Sequence, residues 1–272
     1  MDTICNLCKR KEFKIIEHDE APFMVLRCNS CGLVFVDPLP DQTDLAAHYD
    51  EDYYSDWMGN QQSRRLGMWK RRLKTIEKII SGGRLLDVGC AAGTFLHLAQ
   101  QNGWDVRGTE YSSYAASFAK DLLKTDIFCG DLIDASYEDA YFDVVTFWHV
   151  LEHVTDPTSY LQEAHRILKP SGLLVIAVPN VNNLVMKTVY RFVKGRPLKL
   201  FSRNDREIHL FHFSDDTLQC YLKKTGFQCR RIGPDHGIAE PYKKMVDAVA
   251  VAIYNLTGMK IFNSLEVHAT RV

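Results

Sequence analysis

The 272-residue sequence has no apolar run approaching the length of a membrane span, and it does not open on a basic stretch followed by an apolar one. A soluble, cytoplasmic protein without a transmembrane segment is therefore expected. It also lacks an excess of either charge. The 33 Lys and Arg against 34 Asp and Glu leave a formal net charge of -1, so bulk electrostatics select no partner. Charge is uneven only locally. Asp37 to Asp56 carries seven acids and no Lys or Arg, whereas Arg64 to Lys78 carries seven bases and one acid, and both read as solvated faces.

Cysteine is not scarce, and its eight residues divide into two sets. Cys5, Cys8, Cys28 and Cys31 form C-x2-C-x19-C-x2-C, in which each C-x2-C turn aims two thiolates at one tetrahedral ion. FKII (13 to 16) and FMVL (23 to 26) supply a hairpin between the knuckles, so residues 1–36 are expected to form a ribbon around a structural Zn2+. Disulfides or free thiols are the alternative, disfavoured without a secretory segment. Cys90, Cys129, Cys220 and Cys229 lie in apolar segments and read as reduced core residues. Between the knuckles there is no Lys/Arg cluster with interleaved aromatics, so the ribbon reads as a brace for a neighbouring domain and not as a nucleic-acid binder.

Residues 37–81 read as a linker with two helices. DPLP (37 to 40) breaks the chain, and TDLAAHYDEDYYSDW reads as a short acidic helix. In RRLGMWKRRLKTIEKII, Leu66, Trp69, Leu73, Ile76 and Ile80 recur every three or four residues, which predicts an amphipathic helix with a basic outer face.

From residue 82 to 272 strand and helix patterns alternate. RLLDVGC (84 to 90), DVRGTE (105 to 110), DIFCGD (126 to 131), FDVVTFWHV (142 to 150) and GLLVIAVPN (172 to 180) read as strands, separated by helices. SSYAASFAKDLL opens on a Ser cap, and DPTSYLQEAHRIL has Asp156 as cap and Pro157 at its first position. GFQCRRIG (226 to 233) and SLEVHATRV (264 to 272) complete seven strands, with DAVAVAIYNL (247 to 256) as a core or dimer helix. The expected fold class is α/β, a Rossmann-like, doubly wound, mostly parallel seven-stranded sheet with a small N-terminal zinc ribbon. Ligands in such sheets bind beyond the carboxyl ends of the strands.

Those ends carry chemistry. The first strand finishes in D-V-G-C-A-A-G, where Gly89 and Gly93 allow close approach of backbone to a ligand. The second finishes in Glu110, positioned to accept both hydroxyls of a ribose, and the third in Gly130-Asp131, a carboxylate suited to an exocyclic amine. A nicotinamide oxidoreductase is the rival enzyme class, but it wants G-x-G-x-x-G and residues 89 to 94 read G-C-A-A-G-T. A cofactor-binding module without turnover is the rival outside enzymes.

DVGCAAG, Glu110, GD at 130 to 131, WHVLEHVTDP, LKPSGLLVIAVPN and HLFHFSDDTLQCYLKKTGF together resemble the class I S-adenosylmethionine methyltransferases, in the subgroup with ubiquinone-pathway and sugar enzymes. The resemblance covers residues 84 to 233. It implies that Asp87, Gly89 and Gly93 hold the methionine portion of S-adenosyl-L-methionine, Glu110 the ribose and Asp131 the adenine. Cys90, Tyr111, Leu132 and Trp148 lie beside them in the same motifs and are expected at the cofactor. Ala91 departs from the family's middle Gly.

HVLEH (149 to 153) also matches the H-x-x-E-H arrangement of an inverted zinc metallopeptidase. Its place at a strand end, and not on a long helix, disfavours that reading. His149, Glu152, His153, His209 and His212 are instead read either as packing or as a cluster around the reacting methyl, where a His of near-neutral pKa can serve as base. Related methyltransferases carry E-x-x-E-H plus a distant His that hold a divalent metal, so a second metal is an alternative, with His149 in place of the first Glu. Residues 181–213 form an insertion. Residues 181 to 208 hold seven bases and two acids, which resembles a substrate lid with a positive lining. The expected acceptor is then a small molecule, an anionic sugar or nucleotide-sugar.

Overall fold

The computed structural model describes residues 3–40, 62–235, 237 and 241–272. The acidic helix expected after DPLP lies outside them.

Three short strands open the chain: β1 (Phe13–His18), β2 (Met24–Cys28) and β3 (Val34–Asp37). Helix α1 (Gln62–Glu77) follows, then β4 (Arg84–Val88), α2 (Thr94–Gln101), β5 (Asp105–Glu110), α3 (Ser113–Leu123), β6 (Ile127–Cys129), β7 (Phe142–Trp148), α4 (Pro157–Ile167) and β8 (Leu168–Pro179). The insertion contributes α5 (Leu184–Lys194) and β9 (Phe211–His212), and α6 (Asp215–Lys224), β10 (Phe227–Pro234), α7 (Pro241–Thr257) and β11 (Ser264–Arg271) close the chain.

The seven-stranded sheet has the order β10-β11-β8-β7-β4-β5-β6. Strands β4 to β8 pair in parallel, and β11 enters antiparallel between β8 and β10. Local chemistry sets the helix starts. Ser112 Oγ accepts from the Ala115 amide, the Asp156 carboxylate accepts from the Thr158 and Ser159 amides, and Ser214 and Thr217 cap each other's backbone in a capping box. The central strands β7 and β8 are apolar on both faces because helices cover both sides of a parallel sheet. Strand β8 begins at Leu168, earlier than the expected Gly172, because Leu168 already pairs with Phe142.

Two apolar clusters occupy the two faces of the sheet. One packs α1, α2 and α3 through Trp69, Leu73, Phe95 and Ala119; the other packs α4 and α6 through Leu161, Leu218 and Tyr221. The second cluster also contains Cys5, Leu7, Phe23 and Val36, so the ribbon shares its core with the larger sheet. Asn6, inside the first knuckle, clamps it: its amide donates to Asp156, and its carbonyl oxygen accepts from Thr158 at 2.6 Å and Tyr221 at 3.0 Å. Strand β3, unexpected from sequence, pairs antiparallel with β9 as well as β2, so the insertion returns through the ribbon's own four-stranded sheet, β1-β2-β3-β9.

Candidate active site

Strand order reverses between β4 and β7, and the loops leaving their carboxyl ends face each other there. Gly89 and Gly93 both adopt positive φ, and so does Ala91 between them at φ 49. An Ala in the left-handed region costs about 1–2 kcal/mol that Gly would avoid, which is the local consequence of the missing middle Gly. Space around Gly89 is tight: a Cβ there would meet Val150 Cγ2 at 2.7 Å, so the loop after β4 abuts the turn after β7.

Glu110 pins that loop. One carboxylate oxygen accepts from the Ala91 amide and the other from the Ser112 amide, both at 2.9 Å, and the side chain is buried. A carboxylate offers about four lone-pair sites in all, so a group of this kind can in general serve backbone amides and two ribose hydroxyls together. Asp131 accepts from the Ile133 amide at 2.9 Å and from the Tyr160 hydroxyl at 2.5 Å, so the carboxylate expected at an adenine is held in place by a tyrosine of α4. Asp87 is buried and accepts from Thr146 Oγ1 at 2.6 Å. Burial raises its carboxyl to about 7, against the opposing pull of Thr146 and Arg72. A cationic sulfonium or ammonium fits beside such a group. Tyr111 is half exposed at the end of β5, whereas Cys90 and Leu132 are core residues. Trp148 packs edge-on to Trp69 and Phe95 with the Arg72 guanidinium 4.2 Å from its ring centre.

HVLEH forms an irregular turn in which His149 has φ 60. Its Nδ1 lies 3.2 Å from Glu152 and its Nε2 3.2 Å from Asp235. Burial opposes protonation of this ring, but the two carboxylates outweigh it and raise the pKa to about 9. At neutral pH His149 is therefore a clamped imidazolium, poorly suited to take a proton. Arg72 completes the network with a two-pronged bond to Asp235, at 2.6 and 3.3 Å. Burial alone would raise the Asp235 carboxyl, yet the Arg72 guanidinium and His149 hold it well below the usual range.

Glu152, His153 and His209 come together on the other side of this turn, their ligand atoms all within 4.8 Å of one another. Backbone bonds from Leu210 and Phe211 to the Glu152 carbonyl bring the end of the insertion here. Glu152 spends one carboxylate oxygen on His149, and the other is buried with no hydrogen-bond partner among the described residues. His153 Nδ1 is 2.7 Å from the Ile208 carbonyl, so in the neutral ring it donates there, which fixes the orientation of the imidazole. Burial, with repulsion from His153, lowers His209 to about 4. A carboxylate oxygen without a hydrogen-bond partner among the described residues, beside two imidazoles, fits a divalent cation. His212 stands apart, on β9, its ring centre 6.3 Å from that of His209, and burial lowers it to about 3.

The four knuckle cysteines also converge. Cys5 and Cys31 sulfurs are 3.5 Å apart, Cys8 and Cys28 sulfurs 3.4 Å, and all four lie within 4.8 Å of one another. Tetrahedral zinc with bonds of about 2.3 Å needs sulfurs about 3.8 Å apart, so the donor set fits that ion.

A family model described as a methyltransferase domain matches residues 58–232. The chain belongs to that family. This methyltransferase domain is 31% identical over 118 residues to a ubiquinone biosynthesis O-methyltransferase from Coxiella burnetii, a match spanning 41% of this chain and 50% of that enzyme. A demethylmenaquinone methyltransferase from Staphylococcus saprophyticus is 27% identical over 177 residues, spanning 58% and 76%. The chain thus covers about half the length of the first of these relatives. The fold is that of a SAM-dependent methyltransferase from Archaeoglobus fulgidus, with TM-score 0.55 at 20% identity over 81% of this chain and 100% of that one.

Three residues of the methyltransferase domain escape sequence reasoning. Arg72 lies in what reads as a solvated basic face, Asp235 follows an ordinary strand, and Tyr160 lies inside a helix. Only the fold brings each to its carboxylate, guanidinium or imidazole partner, and no local pattern signals it. The basic residues of the insertion are in part paired and in part exposed. Lys199 pairs with Asp19, Lys187 donates to the Val181 carbonyl, and Arg191, Lys194 and Arg196 are exposed.

Proposed function

We propose that this chain transfers the methyl group of S-adenosylmethionine to a small-molecule acceptor. The observation that carries the reading is the meeting, at one edge of the sheet, of the Glu110-pinned loop with the Glu152, His153 and His209 cluster. The cofactor, when bound, supplies an electrophilic methyl on a positively charged sulfur. Asp87, Gly89 and Gly93 hold its methionine portion, Glu110 the ribose and Asp131 the adenine, with Tyr160 orienting the Asp131 carboxylate.

For a hydroxyl acceptor the chain must remove a proton. His153 is assigned as the base, its ring oriented by the Nδ1 contact with the Ile208 carbonyl and set beside Glu152 and His209. Glu152, His153 and His209 also suit a divalent metal, which would polarise the acceptor oxygen; the orphaned Glu152 oxygen favours this version. His149 is a positioning residue that holds Glu152 ionised.

The relatives' names, a ubiquinone biosynthesis O-methyltransferase and a demethylmenaquinone methyltransferase, point first to quinone-type acceptors. The nucleotide-sugar reading rests on the basic residues of the insertion alone, and neither relative's name carries it.

Calorimetry with S-adenosylmethionine and a Glu110→Ala variant tests the cofactor site. Loss of the ribose partner costs about 1.5 to 3 kcal/mol of binding. Unchanged affinity would remove Glu110 from the site, and absence of cofactor binding by the parent would overturn the proposal. Transfer of a labelled methyl to a phenolic quinone precursor separates an enzyme from a binding module.

A further inference from the structure

Helices α5 and α7 pack against one another and leave apolar surface to solvent. On α5 no residue is buried, and Val189, Phe192 and Val193 lie on its apolar side, Phe192 85% and Val193 72% exposed. On α7, Met245, Val249, Ala252 and Leu256 recur at three- or four-residue spacing, with Met245 71% and Leu256 86% exposed. Large apolar side chains this open, on two adjacent helices, mark a surface with an occupant.

Charge selects the occupant. Residues 184 to 199 hold five bases and no acid. Of these, Arg191 and Lys194, with Arg196 just beyond the helix and Lys244 on α7, are exposed and form no ion pair among the described residues. Asp247, the single acid of α7, is buried and accepts from the Asn263 amide. An apolar ridge flanked by unpaired cations matches a layer whose interior is hydrocarbon and whose surface is phosphate. A second copy docked through the same face would set these cations against their own images, which is unfavourable.

We infer that the α5–α7 face docks on an anionic phospholipid surface. Lying in the interface requires no spanning segment, and no described helix is long and apolar enough to cross a membrane. Helix α5 follows directly from the carboxyl end of β8, the edge of the sheet that carries the Glu110 loop and the His cluster. Docking here sets that edge beside the lipid, where an amphiphilic acceptor would be presented. The lipid contact itself does not depend on which acceptor is methylated.

Co-sedimentation of the full chain with vesicles tests it, comparing phosphatidylglycerol mixed into phosphatidylcholine with phosphatidylcholine alone. The parent is expected to sediment with the anionic vesicles and to be released by high salt. Neutralising Arg191 and Lys194 with Gln weakens partitioning about five-fold per charge. Phe192→Asp combined with Leu256→Asp weakens it about ten-fold or more. All four side chains are exposed, so the unfolding midpoint stays that of the parent, which separates lost docking from lost fold. Equal sedimentation with both vesicle types, or of parent and variants alike, overturns the inference. So does a vesicle-free dimer, seen by sedimentation equilibrium, that Phe192→Asp dissociates.

Discussion

His149 Nε2 lies 3.2 Å from Asp235 Oδ2, though the two residues are 86 positions apart. With Arg72 on the far side of Asp235, this contact ties the turn after β7 and the end of β10 to α1. The Arg72 and Asp235 side chains are 4% and 1% exposed. Asp235→Ala therefore leaves a guanidinium buried without its partner, a change that costs about 3–5 kcal/mol. Urea unfolding of the two proteins measures it; matching midpoints would mean the network carries no stability.

Cofactor binding is expected to depend on pH through Asp87. Its folded-state pKa, about 7, is raised by burial above the ordinary value near 4, so its contribution to stability is full below about 4 and is lost as pH climbs through about 7. A cationic ligand reverses the preference, because it favours the ionised carboxylate. Affinity for S-adenosylmethionine is expected to rise between about pH 6 and 7.5 in the parent and to stay flat in Asp87→Asn. Parallel titration curves for both proteins would contradict this.

One zinc per chain is expected. Cys28→Ser removes a thiolate and should release the ion, since metal binding and ribbon folding are coupled. Because β3 pairs with β9, the damage extends past the ribbon, and limited proteolysis should open residues 199 to 212 as well as the knuckles, while the cofactor sheet stays folded. Stoichiometric zinc in the variant, measured by atomic absorption, would refute the four-cysteine site.

The cluster after β7 makes a sharper division. His153→Ala is expected to lower turnover about 100-fold with cofactor affinity intact, in line with loss of a general base. His209→Ala does the same only if a metal is used, and then a chelator too mild to strip the ribbon abolishes activity until magnesium or zinc is restored. His212, separate from the cluster, should tolerate Ala with little effect on rate. Parent-level turnover in both His153→Ala and His209→Ala would reduce the cluster to packing.

Much of this was legible in the residues alone. Strand and helix periodicity, the caps at Ser112 and Asp156, the four-cysteine spacing and the acids ending β5 and β6 are local features, because a repeat, a cap or a knuckle is decided by residues a few positions apart. They specify the fold class, the ribbon and the edge of the sheet where a ligand is expected. What only tertiary structure decided is pairing across the chain. It joined β3 to β9, buried Arg72 from an apparently solvated face against Asp235, and set His149 as a cation between two carboxylates while His153 and His209 met elsewhere. A side chain's charge state depends on which groups surround it after folding, and HVLEH by itself says nothing of Asp235, which arrives from another strand across the packed core.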